Sequence, residues 1–218
     1  MPTPILFRLS GASLLLGGLL AAIAMIFHPT DMTDPANVPV HLALYTAVML
    51  IALGLPGLYG RFALQTGRTG LVGIVLLFVG AVFADPIHSV LEFTVVPVIA
   101  ADPSTRSLLD GPPPGLMGPL MLAIPVLLLG MIVWSVSVIR GKTVPRWPAV
   151  MSLAGVAAVM AGMIASGGQP GGSTLSEVGP GILYLSLAAF GLVLVTERKP
   201  VPTAEPRVAG RERLAASG

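Results

Sequence analysis

The chain has no cysteine among its 218 residues. That excludes a disulfide scaffold, a CxxC redox pair and any thiolate-held metal. Charge is scarce as well, at 10% of residues against about 25% in an average soluble domain. Aromatic residues make up only 6%. No P-loop, dinucleotide-binding, GxSxG or kinase signature is present. What is abundant is apolar: 54% of residues are hydrophobic and the mean hydropathy is +0.89. Intrinsic disorder needs low hydrophobicity, so it is excluded for most of the chain. The net charge of +2 is mildly basic, but the basic residues are scattered through loops, which argues against a nucleic-acid surface. The remaining class is an all-α polytopic membrane protein.

A membrane-crossing helix needs about 20 mostly apolar residues. Six such stretches are expected: Ile5 to Phe27, Val40 to Tyr59, Gly70 to Glu92, Leu116 to Ile139, Trp147 to Ala165 and Val178 to Thr196. None alternates as a membrane strand would, and in lipid the backbone must bond internally, so helix is the expected form. The first stretch is longer than a signal-peptide core, and His28-Pro29-Thr30-Asp31 is a poor cleavage site. It is read as a retained span.

Orientation follows from Lys and Arg. Arg8, Arg61, Arg68, Arg140, Lys142, Arg146, Arg198, Lys199, Arg207, Arg211 and Arg213 fall on one side of an alternating six-span layout, and only Arg106 on the other. Both termini are therefore expected in the cytoplasm. Arg outnumbers Lys, and Ala, Gly and Pro are frequent, which suits a bacterial plasma-membrane protein from a GC-rich genome. The domain expectation is one six-span unit over residues 1–196 and a disordered basic tail over 197–218. The outer loops include a stiff Pro-rich run, Asp110 to Gly115, and a flexible Gly-rich one, Gly167 to Gly172. An inverted three-plus-three repeat has only thin support, the Val38-Pro39 and Val144-Pro145 pairs. In the fifth span, Ala154, Ala158, Gly162 and Ser166, and also Ala157, Ala161 and Ala165, are expected to be close-packing stripes. Met151, Met160 and Met163 read as core filler, and Trp134 and Trp147 as interfacial anchors.

Ionisable residues inside a membrane are costly and usually functional. The third span carries Asp85, His88 and Glu92. At about 100° per residue these lie within about 60° of one another on a helix, with Phe78, Ala81 and Ser89 on the same face. Asp85 sits about 24 Å along the axis from Thr69, in the expected outer leaflet. Pro86 removes a backbone bond beside it, either bending or ending the helix. His28 follows the first span, and His41 opens the second with Tyr45 one turn deeper. Glu177 opens the sixth, with Tyr184 two turns further in. All three histidines and the clearly intramembrane acid thus gather on the outer side, and the cytoplasmic half has no comparable set.

A buried carboxyl and a nearby imidazole can exchange a proton. The leading expectation is a membrane-embedded enzyme performing acid–base chemistry on a lipophilic substrate: isomerisation, cyclisation, epoxide opening or hydrolysis. Asp85, His88, Glu92 and His41 are the candidate catalytic residues, and Tyr45, His28, Glu177 and Tyr184 the candidate substrate contacts. Few aromatics weaken a carbocation cyclase. His28, His41, His88 and Asp85 would form an N3O set suited to zinc, but no HxxxH or HExxH spacing supports it, so no metal and no cofactor are expected. The alternatives are a proton- or cation-coupled transporter acting as a homo-oligomer, and a non-catalytic accessory, immunity or sensing protein. The expected partners are the bilayer and a lipophilic small molecule, with no nucleic acid.

Overall fold

The computed structural model describes residues 3–29, 31, 33–110, 114–141, 145–167 and 174–196. The expected tail over 197–218, residues 111–113 and 168–173 of the Pro-rich and Gly-rich runs, and the side chain of Glu177 lie outside the described residues. Every regular element among the described residues is helical: α1 (Thr3–Ile26), α2 (Asn37–Val90), a π-helical turn (Leu91–Val95), α3 (Val96–Ala101), a 3-10 turn (Arg106–Asp110), α4 (Pro114–Gly141), α5 (Trp147–Ala165) and α6 (Thr174–Thr196). Five helical segments are long and apolar enough to cross a membrane, the longest being the continuous run Asn37–Ala101.

That run corrects the expected loop between the second and third spans. Arg61 and Gln65 are helical, and the helical geometry breaks only at Gly67, with φ 58° and ψ −151°. A side chain is strongly disfavoured there, so glycine supplies the break. If straight, α2 alone would be about 80 Å long. Instead the imidazoles of His41 and His88 touch, with ring centroids 5.3 Å apart. The chain therefore folds back at Gly67 into a helical hairpin.

The two arms of the hairpin pack on different partners. The first arm meets α1, where Gly17 lies against the Ala47 carbonyl and Gly54 against Leu14. The second arm meets α4, where Gly73 lies over the Trp134 backbone and Gly80 over Leu127. α4 packs on α5, α5 on α6, and α6 on α1, which closes the ring. Lipid tails are as apolar as leucine, so close backbone approach at small residues holds such helices together.

Packing differs from the sequence reading at several points. On α5 the buried face is Ser152, Gly155, Val159 and Gly162, whereas Ala154, Ala157, Ala161 and Ala165 are exposed. Gly155 and Gly179 make the close approach between α5 and α6. Met160 and Met163 are partly exposed rather than core. Trp134 is fully buried, edge-on to Phe190 at 5.9 Å, and is not an interfacial anchor; Trp147 is half-exposed. Phe78 faces outward and leaves the Asp85 stripe. Pro86 does not end its helix, which continues through the π-helical turn to Ala101.

Candidate functional site

The hairpin, the α1–α2 connection and α6 together assemble two adjoining groups of polar side chains. The first is a histidine triad. His28 lies 4.9 Å from His41, centroid to centroid, and His41 lies 5.3 Å from His88, each pair meeting edge-on. One nitrogen from each ring can be chosen so that all three fall within 4.8 Å of one another. His41 is buried and His28 and His88 are half-buried.

Each histidine comes from a separate segment, and local structure explains its position. His41 lies in the first turns of α2, and His88 reaches it because the chain reverses at Gly67. His28 follows α1 and is returned toward α2 by a short connection built on two aspartate turns. Asp31 accepts hydrogen bonds from the Thr33 backbone N–H and hydroxyl, both at 2.8 Å, and Asp34 accepts one from the Ala36 N–H at 2.7 Å. Such side-chain-to-backbone bonds fix tight turns without secondary structure. They also hold the Asp31 carboxyl below the usual carboxylate range, with a smaller contribution from Arg106.

The tautomer of His41 is defined by its surroundings. Its Nδ1 stands 2.9 Å from the Asn37 carbonyl oxygen. A carbonyl can only accept, so Nδ1 carries the proton and donates it. In the neutral ring, Nε2 is then a bare lone pair. It is buried and has no hydrogen-bond partner among the described residues. Such atoms are uncommon in folded proteins.

Asn37 links the triad to Glu92. Its side-chain amide donates to the Glu92 carboxylate at 3.0 Å and to the Glu92 carbonyl at 3.3 Å. Both residues are buried. Glu92 lies in the π-helical turn, an irregularity often found at functional sites. Tyr45 packs edge-on against Phe93 of the same turn at 5.9 Å. Asn37 went unnoticed in the sequence, because its amide acts on Glu92, 55 residues away, and no local spacing signals that contact.

The second group is Asp85 with Tyr184. The Tyr184 hydroxyl donates a hydrogen bond to Asp85 Oδ2. The pair lines a cavity of about 270 Å³ enclosed by α2, α4, α5 and α6. Its other described lining is apolar, including Ile51, Ala84, Leu128 and Leu187. Ligand pockets are typically about 300–1,000 Å³ and mostly apolar with a few polar groups, so this one is small but of the right character. Asp85 lies one helical turn before His88 and within electrostatic reach of both His88 and His28.

The structure thus brings Asp85, His88, His41, His28 and Tyr184 to one region and places Glu92 behind His41. Tyr45 does not line the cavity; it packs beside Glu92. Chemically, the arrangement offers a carboxyl–phenol pair facing an apolar space, and three imidazoles behind it that suit a borderline transition metal. Comparison with known protein families, with curated proteins and with solved structures finds no match.

Proposed function

We propose that this chain is a membrane-embedded enzyme performing acid–base chemistry on a lipophilic substrate held in the α2–α4–α5–α6 cavity. One observation carries the reading: the hydrogen-bonded Asp85–Tyr184 pair is the polar feature of an otherwise apolar cavity. An apolar wall selects a lipophilic molecule, and the pair presents one base at its surface. Asp85 takes a proton from the substrate and returns it at a second atom, while the Tyr184 hydroxyl holds the carboxylate in place through its hydrogen bond. Proton removal and return at a second carbon or oxygen is an isomerisation, the simplest of the four reaction types and one that needs no co-substrate.

The same proposal includes six membrane passes, the Gly67 hairpin contributing two, with both termini in the cytoplasm of a bacterial plasma membrane. The charge bias supports this orientation, with eleven Lys and Arg on one side and Arg106 alone on the other. The polar groups then lie in the outer leaflet, where a lipophilic molecule can arrive from the bilayer.

The test is comparative lipid analysis. Total lipid extracts from cells producing the chain, or its Asp85→Asn form, are compared by mass spectrometry. The expected result is a lipophilic species that rises with the unaltered chain and not with Asp85→Asn, although both insert equally. Identical extracts from both, at equal membrane levels, would overturn the reading.

A further inference from the structure

We propose that His28, His41 and His88 form a binding site for one divalent transition-metal ion of the zinc class. Three observations support it independently of the acid–base reading. First, three imidazole nitrogens already lie within 4.8 Å of one another. Around a tetrahedral zinc, with bonds of roughly 2.0–2.1 Å, ligand nitrogens stand about 3.4 Å apart. Closing the triad requires each nitrogen to move inward by about 1 Å. His28 lies in the connection beyond α1, outside the helices, and both it and His88 are only half-buried.

Second, His41 is prepared as a ligand. Its Nδ1–H is committed to the Asn37 carbonyl, and its Nε2 is buried without a partner. A metal-bound histidine almost always donates its other ring N–H to a carbonyl, carboxylate or water, which fixes the ring and exposes the ligating lone pair. Here that arrangement is complete, and Asn37 is itself anchored to Glu92. A purely structural buried histidine would normally use both nitrogens.

Third, the surroundings can balance a dication. A buried charge is costly unless it is paired. Asp85 lies within electrostatic reach of His28 and His88, and Glu92 within reach of His41. Three nitrogen ligands are also the number found in zinc sites that leave the fourth position to water or another small ligand. Imidazole serves zinc, copper, nickel and iron, so the ligand set assigns the class and the experiment assigns the ion.

The full-length chain is purified in detergent, stripped with chelator, loaded with Zn2+ or Co2+ and passed through gel filtration. Elemental analysis should find about one metal per chain, and Co2+ should show the visible ligand-field absorption of a nitrogen-rich tetrahedral site. Loss of partners that merely support a ligand lowers metal affinity about 10–100-fold, so removing a ligand should lower it at least about 100-fold. His41→Gln, His88→Gln and His28→Gln are each tested. His28→Gln is the safeguard, since its position outside the helices makes misfolding a poor explanation for lost metal. Failure of the unaltered chain to retain either metal would overturn the site, as would unchanged affinity in His28→Gln. The assay reads metal and not turnover, so the lipid comparison can fail while this site stands, and the reverse.

Discussion

His41 and His88 touch across a reversal made by one residue, Gly67. Everything at the end of the hairpin away from Gly67 depends on that reversal, because it also brings Asn37 to Glu92 and Tyr45 to Phe93.

Gly67 is therefore the first position to change. No atom lies within 4 Å of where its Cβ would be, so the effect of a side chain is purely conformational. Gly67→Ala should destabilise the chain by about 1–3 kcal/mol and reduce metal retention. Gly181, which also has open space at its Cβ but sits within regular α6, is the control. Gly181→Ala should be neutral or stabilise by about 0.5–1 kcal/mol. Unfolding midpoints in detergent compare the two; equal effects would refute the strained reversal.

The α2–α4 crossing should be intolerant of bulk. A Cβ on Gly80 would stand 2.4 Å from the Leu127 backbone nitrogen. Gly80→Leu should destabilise by about 1–3 kcal/mol or prevent assembly, since overpacking displaces backbone. Ala161→Leu, on the exposed side of α5, should change stability little. Denaturant titration in detergent distinguishes them.

Asp85 and Tyr184 should be energetically coupled. Removing one partner leaves a buried polar group unsatisfied, at about 1–3 kcal/mol. Asp85→Ala and Tyr184→Phe should each destabilise, and the double variant should lose less than their sum, by about 0.5–3 kcal/mol. Strict additivity in a double-mutant cycle would show that the hydrogen bond contributes nothing.

Filling the cavity separates binding from folding. Ala84 is buried on its wall. Ala84→Leu should leave insertion and thermal stability intact and abolish any lipophilic molecule that co-purifies with the unaltered chain, as read by mass spectrometry. Retention of that molecule would place it elsewhere.

The α1–α2 connection should loosen only in acid. The Asp31 carboxyl is held below its usual value of 3.8 by the Thr33 N–H and hydroxyl. A depressed folded-state pKa means that the contribution is complete above the unfolded value and disappears as pH falls through the folded one. Asp31→Asn should therefore differ from the unaltered chain at neutral pH, and the difference should shrink only below pH 3.8, vanishing once the pH is under the lowered folded-state value. Amide exchange in the connection, measured at both pH values, reads this directly. Arg106 is the charged group that bears on it.

Much of this protein was legible without coordinates. Scarce charge and long apolar runs determined an all-helical membrane class, because only helices and closed barrels satisfy the backbone in lipid. The limits of α5 and the end of α6 followed from composition alone. The polar candidates were also visible, since an ionisable group in an apolar run stands out one residue at a time.

Which residues meet was not legible. Helical periodicity describes a single helix, so it offered Asp85 a partner in His88, one turn away; the hydroxyl that bonds it belongs to Tyr184 on α6. Of the packing stripes it offered on α5, only Gly162 is buried, because nearly every residue there is small or apolar and the periodic signal is weak. The histidine triad lay beyond any spacing rule, as its members come from three segments joined by one reversal and one short connection. The sequence by itself determined helices apolar and long enough to cross a membrane and the inventory of reactive groups, because both follow from residue chemistry. Only the tertiary structure decided that His41 keeps a buried, unpartnered Nε2 and packs against two other imidazoles, because that depends on where backbones cross.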